Sequence, residues 1–287
     1  LNAARPQPIE VVAVDPVLTD EDILDLVAAG IVPATVVDRH KLELWSQVYP
    51  ELVVPAGLTV AEGRTIAMAV RPDSVELKAL LDGFVPTIAE GSLLGNILIE
   101  RYLEDVERLS DPTAEAARGR LATLRPLFEA AGERYGFDWT LLAAQGFQES
   151  RLDPQARSER GAVGVMQMLP STAAEPYVDL PEIARAEVNI AAAAKYMRWL
   201  IATYFDDPAL DAVEQALFAL AAYNAGPGNI ARARERAAAR GLDPNRWFDH
   251  VELATAEVVS AEPVRYVRNV YKYYVTYRRL LDTAAGG

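Results

Sequence analysis

One acidic side chain at the end of an apolar run is the feature of this sequence with the clearest chemical potential. Between Gln145 and Pro170 the chain reads Q-G-F-Q-E-S-R-L-D-P-Q-A-R-S-E-R-G-A-V-G-V-M-Q-M-L-P. Gln145 and Glu149 are four residues apart and share a face if the run is helical. A carboxylate at the edge of an apolar helix is partly desolvated, which disfavours its charged form and raises its pKa. That is the state a general acid needs near neutral pH. A helix-end glutamate pointing into water has the same local sequence, so the E-S pair alone does not decide between the two.

The other reactive side chains narrow the chemistry. There is no cysteine, which excludes thiol catalysis, disulfides and Cys-ligated zinc. His40 and His250 are the only histidines and have no ligand spacing, so neither a Ser-His-Asp triad nor a metal site is expected, and no cofactor is implied. Two carboxylates follow Glu149 closely, Asp153 and Glu159, but Asp153 precedes Pro154 and reads as a turn residue. Ordinary glycoside hydrolysis takes two carboxylates, and here only one stands out. The net charge of −13 and pI of about 4.7 give no attraction for phosphate backbones, so nucleic acid is not expected as a partner.

Several elements must position that carboxylate. Asp138 is placed to cap a helix carrying Trp139, Leu142, Phe147 and Glu149, which Asp153-Pro154 would end. Leu121 to Tyr135 has helical spacing, with Pro126 positioned to kink it. Val188 to Tyr204, Ala212 to Tyr223 and Val264 to Leu280 are further amphipathic helices. Residues 121–287 therefore read as an all-α domain. The stretch S-D-P-T-A-E-A-A-R-G-R, residues 110–120, reads as a linker.

Residues 1–109 read as an α/β module. Ile9 to Val14, Ala34 to Val37, Leu52 to Val54 and Thr65 to Val70 are β-branched runs fit for strands. Thr19 to Ala29 reads as a helix closed by Gly30, and Asp73 with Glu76 has the form of a capping box for a helix through Leu81. A last helix is expected from Ser92 to Val106. No apolar run approaches the roughly 20 residues of a membrane span, and no signal peptide is visible. The chain begins Leu-Asn, so an upstream segment is expected to precede it.

Two resemblances add to this reading. The order of elements in front, with V-V-D-R-H-K-L-E-L-W-S-Q-V-Y-P-E-L-V-V (residues 36–54), resembles the later part of a bacterial extracellular solute-binding domain, a periplasmic-type lobe present here only in part. Behind it, three blocks occur in order after the E-S pair: A-R-S-E-R-G-A-V-G-V-M-Q-M-L-P (156–170), A-L-A-A-Y-N-A-G-P-G-N-I (219–230) and A-E-P-V-R-Y-V-R-N-V (261–270). Together they resemble the catalytic domain of the soluble-lytic-transglycosylase family, which implies a lysozyme-like all-α fold. The two-part layout, with a solute-binding-like module in front, is similar to that of one kind of membrane-bound lytic murein transglycosylase.

The resemblance implies that Glu149 is the single acid/base for cleavage of peptidoglycan glycan strands, giving 1,6-anhydromuramoyl ends. It implies that Ser150 and Ser158 lie near the scissile bond, that Gly161 and Gly164 let backbone approach the sugar, and that Met166 and Gln167 line the cleft floor. Tyr223, Asn224 and Tyr266, with Val267, would shape the opposite wall. Met166 and Met168 are also spaced like core side chains, and most tyrosines of the last helix read as packing residues. Glu262 stands where the family has a glutamate, whereas Pro263 replaces the usual threonine. The front module would bind a small muropeptide or amino acid. The location implied is periplasmic, at the outer membrane through a segment absent from this chain, which has no lipidation cysteine. Two rivals remain: a goose-type-lysozyme-like hydrolase, which needs a second carboxylate, and a catalytically silent wall-binding or sensor protein.

Overall fold

The computed structural model describes residues 10–14, 18–49, 51–55, 58–63, 67–89, 91–93 and 115–285. The chain divides into two units, Leu1–Asp111 and Pro112–Gly287.

In the first unit, α1 (Asp20–Ala28) starts where Thr19 accepts the amide of Asp22 and Asp22 accepts the amide of Thr19, a reciprocal capping box. Gly30 follows the helix at φ +71. α2 (Arg39–Trp45) was not foreseen from sequence; Trp45 and Tyr49 stack at 5.8 Å and bury Leu24 of α1 in a small cluster. Lys41 ties the two helices through Asp20 at 2.9 Å and Glu21 at 3.2 Å. α3 (Val75–Phe84) has Ser74, not Asp73, at its N-cap, and no side chain caps it. The helix expected from Ser92 to Val106 falls outside the described residues beyond Leu93.

The α/β reading of this unit is corrected: no strand forms among the described residues. The described parts of the four β-branched runs are unpaired chain, with Val11, Val12, Val36 and Val53 all exposed. Strand propensity reflects packing on a pleated, half-buried surface rather than a backbone preference. Without a partner strand to complete a ladder, such runs gain nothing from extension.

The second unit is helical. α4 (Glu115–Tyr135) begins inside the expected linker and runs through Pro126. α5 (Trp139–Ser150) is capped by Asp138, whose Oδ1 accepts the Thr140 amide at 3.0 Å. The same carboxylate reaches Arg278 at 2.6 Å, which fastens the start of α5 to the last helix, α11 (Ala261–Ala285). Residues 140–147 of α5 are all buried, so this helix is the axis of the core. α6 (Pro170–Ala174), α7 (Ala186–Tyr204), α8 (Ala212–Ala225), α9 (Pro227–Ala239), α10 (Glu252–Val258) and α11 (Ala261–Ala285) surround it. α9 and α10 were not foreseen. Between them Trp247–Val251 makes a kinked π-turn, held by the Trp247 amide on Glu214 at 2.8 Å and the fully buried Trp247 ring.

Candidate active site

Glu149 lies in the last turn of α5, and the way that helix stops sets its position. The stop comes before Asp153-Pro154: Arg151 and Leu152 both adopt left-handed backbone, φ 56 and 61, and their amides return to Phe147 and Gly146. Such φ values are uncommon outside glycine. They persist because Leu152 is fully buried, which anchors the turn in the core. Asp153 then accepts the Gln155 amide at 2.8 Å and acts as the turn residue expected of it. Gly146, one turn before Ser150, lets the following loop press onto α5: an added Cβ would meet Val165 at 3.0 Å and Met166 sulfur at 3.1 Å.

The Glu149 carboxyl accepts a 2.6 Å hydrogen bond at Oε1 from the Tyr266 hydroxyl on α11. Gln145, on the same face of α5, donates to that hydroxyl at 3.3 Å. The chain Gln145, Tyr266, Glu149 is thus aligned from the core outward, as Gln145 is completely buried and Glu149 only partly. Burial pushes the Glu149 carboxyl up to about 7, against the opposing pull of the Tyr266 hydrogen bond. Burial and the neighbouring carboxyl also hold the hydroxyls of Tyr266 and Tyr223 well above the ordinary tyrosine value. Both therefore remain hydrogen-bond donors at neutral pH. In chemical terms the site holds a carboxyl whose proton is retained towards neutral pH by burial and which a phenol holds in place.

A recess of about 280 Å³ opens beside this carboxyl, lined by Gln148, Glu149, Asn224, Glu262, Arg265, Tyr266 and Asn269. Glu149, Asn224 and Tyr266 were expected there from sequence. Gln148, Arg265 and Asn269 were not singled out. For Arg265 and Asn269 the available signal was their spacing from Tyr266, one position before it and three after.

The remaining expected site residues do not line this recess, and most of them bond within the loop that follows α5, here called the floor loop. The Ser150 hydroxyl donates to the Val165 carbonyl at 2.8 Å and accepts the Asp153 amide at 3.0 Å, so it pins the loop to the helix end. Ser158 is exposed and accepts the Ala162 amide at 3.0 Å, closing its own turn. The Met166 side chain is fully buried, as is nearly all of Met168, so both methionines are core. What Met166 offers the floor is its carbonyl, which accepts the Tyr223 hydroxyl at 2.9 Å. Gln167 has φ 43 and turns its amide back onto the Gly164 carbonyl at 2.9 Å. Val267 is buried, behind the wall rather than on it.

The two glycines differ. Gly161 has φ +82 with open space where a side chain would stand. At Gly164, φ +77, an added Cβ would lie 2.8 Å from the side chain of Asn189. The close neighbour there is therefore protein. Asn189 was missed in the sequence reading. It is fully buried on α7, accepts the Met166 amide at 2.8 Å and donates to the carbonyls of Val163 at 2.8 Å and Ile183 at 3.2 Å. One amide side chain thus ties two points of that loop, Val163 and Met166, to Ile183. Outside the floor, Tyr223 packs on Tyr196, which lies beside the stacked pair Trp199 and Tyr177.

Residues 126–244 match the family model described as the transglycosylase SLT domain. That segment contains Glu149 and the first two motif blocks; the third, with Tyr266, lies beyond it. Membrane-bound lytic murein transglycosylase F 1 of Alkalilimnicola ehrlichii is 33% identical over 265 residues, covering 86% of this chain and 52% of that protein. Membrane-bound lytic murein transglycosylase F of Desulfosudis oleivorans is 30% identical over 271 residues, 88% of this chain and 58% of that protein. The chain thus spans little more than half the length of these curated relatives. Among solved structures, the 70 kDa soluble lytic transglycosylase of Escherichia coli aligns with 55% of this chain and 24% of its own, at a TM-score of 0.43 and 26% identity.

Proposed function

We propose that this chain, whose residues 126–244 match the transglycosylase SLT domain, is a lytic transglycosylase that cleaves peptidoglycan glycan strands. The observation that carries the reading is the Tyr266–Glu149 hydrogen bond at the mouth of the recess, with the carboxyl raised to about 7. Glu149 protonates the oxygen joining N-acetylmuramic acid to N-acetylglucosamine, and the bond from that oxygen to C1 breaks. The resulting Glu149 carboxylate takes the proton of the C6 hydroxyl, and O6 closes onto C1. The product is a 1,6-anhydromuramoyl end, formed without water. Tyr266 and Gln145 orient the carboxyl. Gln167, Tyr223 and Asn224 border the sugar, and Ser150, Ser158, Gly164 and Met166 shape the loop beneath it. Mass analysis of fragments from purified sacculi tests this: anhydro ends are expected, and none with Glu149→Gln. Unchanged release by that variant would remove Glu149 from the chemistry.

A second reading is favoured by one observation, the presence of Glu262 in the same recess. A second carboxylate that holds a water would make the enzyme a hydrolase of the goose-type-lysozyme kind. The products separate the two readings, since hydrolytic ends are heavier by one water.

For the rest of the chain we propose the division 1–109, 110–120 and 121–287, with the front part regulating the catalytic part on binding a muropeptide or amino acid. Its support is that the alignments with the relatives named above cover 86% and 88% of this chain and so extend beyond residues 126–244. Calorimetric titration of the full chain with muropeptides tests it, and an absence of heat and of stabilisation would count against it. The relatives' names carry the words membrane-bound, and we propose a periplasmic location at the outer membrane. Among the described residues no helix is long and apolar enough to cross a membrane.

A further inference from the structure

Arg265 is the only cation lining the recess beside Glu149. It is exposed, and among the described residues it has no ion-pair or hydrogen-bond partner. Glu262, three residues earlier on α11, stands at the spacing where a helical ion pair would form, yet no such pair is made. Neither does Arg265 act on the acid: burial and Tyr266 are what set the Glu149 carboxyl. The side-chain amides of Gln148, Asn224 and Asn269 line the same recess and likewise have no partner within the described residues. Beside the carboxyls of Glu149 and Glu262, the recess therefore presents a guanidinium fork and three amides whose hydrogen-bonding capacity is unused within the described residues.

A guanidinium with open N–H groups takes a carboxylate in a two-point contact, and neutral amides beside it add donors without repelling the anion. Resting on the peptidoglycan reading above, we propose that Arg265 binds a carboxylate carried by the 3-position substituent of muramic acid. It thereby selects which sugar sits next to Glu149. N-acetylglucosamine has no acidic group, whereas muramic acid carries a lactyl ether that ends in a carboxylate or continues into a carboxylate-bearing stem peptide. Asn269, one turn along α11, and Gln148, next to Glu149 on α5, flank the bound anion. Arg265 is a specificity-determining residue that takes no part in the proton transfers.

The test uses the full chain with Arg265→Gln and Arg265→Lys on three kinds of glycan strand. One kind carries stem peptides, one is stripped of peptide so that the lactyl carboxylate is free, and one is stripped with its carboxylates converted to neutral amides. Arg265→Gln is expected to lower kcat/KM about ten- to hundredfold on carboxylate-bearing strands, mainly through KM. It should match the unaltered chain on the neutral strands, with part of the loss recovered by lysine. Loss on peptide-bearing strands alone identifies the stem peptide as the source of the anion, and loss on stripped strands identifies the lactyl group. Equal loss on neutral strands, or no loss on any, overturns the proposal. Binding of the same strands is also measured with Glu149→Gln, with and without Arg265→Gln. If the unaltered chain cuts nothing, the transglycosylase reading fails, while this binding comparison still decides the role of Arg265.

Discussion

Tyr266 and Glu149, 117 residues apart in the chain, meet at 2.6 Å with the phenol as donor and the carboxyl as acceptor. The contact joins the last turn of α5 to the first turns of α11. It works against burial, since a hydrogen bond to the charged form favours ionisation.

Removing that donor moves the pH dependence in a defined direction. In Tyr266→Phe burial acts on Glu149 unopposed, so its pKa rises above about 7. Because the first step needs the protonated acid, the alkaline limb of the rate profile is expected to shift to higher pH. The maximal rate should fall about tenfold as the carboxyl loses its orienting partner. A pH series of anhydro-end release checks both; an unmoved limb would mean that Tyr266 does not set the acid.

Glu149 also makes folding pH-dependent. Its value is about 7 in the folded chain against 4.5 as the ordinary reference. Below pH 4.5 both states are protonated and the folded state loses nothing. As pH rises towards 7 the unfolded chain ionises first, so stability is lost across that window, on the order of 3 kcal/mol. Glutamine does not titrate and keeps an acceptor for Tyr266. Glu149→Gln is therefore expected to be more stable than the unaltered chain at pH 8, with the difference shrinking at pH 4. Denaturant titrations at the two pH values measure it.

Asn189 is expected to be the costliest single loss in the floor. Asn189→Leu keeps the number and branching of the side-chain heavy atoms but leaves the Met166 amide and the carbonyls of Val163 and Ile183 buried without their partner. A destabilisation of about 2–4 kcal/mol follows, measurable by denaturant unfolding. Gly164→Ala should act on the same contact from the other side, since its Cβ would meet Asn189 at 2.8 Å.

Ser150→Ala separates support from substrate contact. The hydroxyl holds the Val165 carbonyl and the Asp153 amide, so its removal is expected to cost about 1 kcal/mol of stability. Activity should fall through kcat, as the end of α5 and with it Glu149 loosens. A rise in KM at unchanged stability would instead place the hydroxyl on the sugar.

What the sequence by itself determined is local. Apolar spacing of 3.6 marked α5, α7, α8 and α11, and Asp138 announced the start of α5, because periodicity and capping involve neighbours in the chain. Glu149 stood out as a candidate for the same reason, because it ends an apolar helix; the three ordered motif blocks added a resemblance to that local reading. Residues whose work is done across the fold could not be read this way. Asn189 looks like any polar residue in a helix until Gly164 is laid against it. Ser150 and Gly164 suggested sugar contacts, yet the protein itself occupies the hydroxyl of one and the space above the other. The β-branched runs before residue 71 suggested strands, but a strand exists only if a partner completes its hydrogen bonds, and the described chain supplies none. Burial and the Tyr266 contact set the acidity of Glu149, and both arise only when α11 closes against α5.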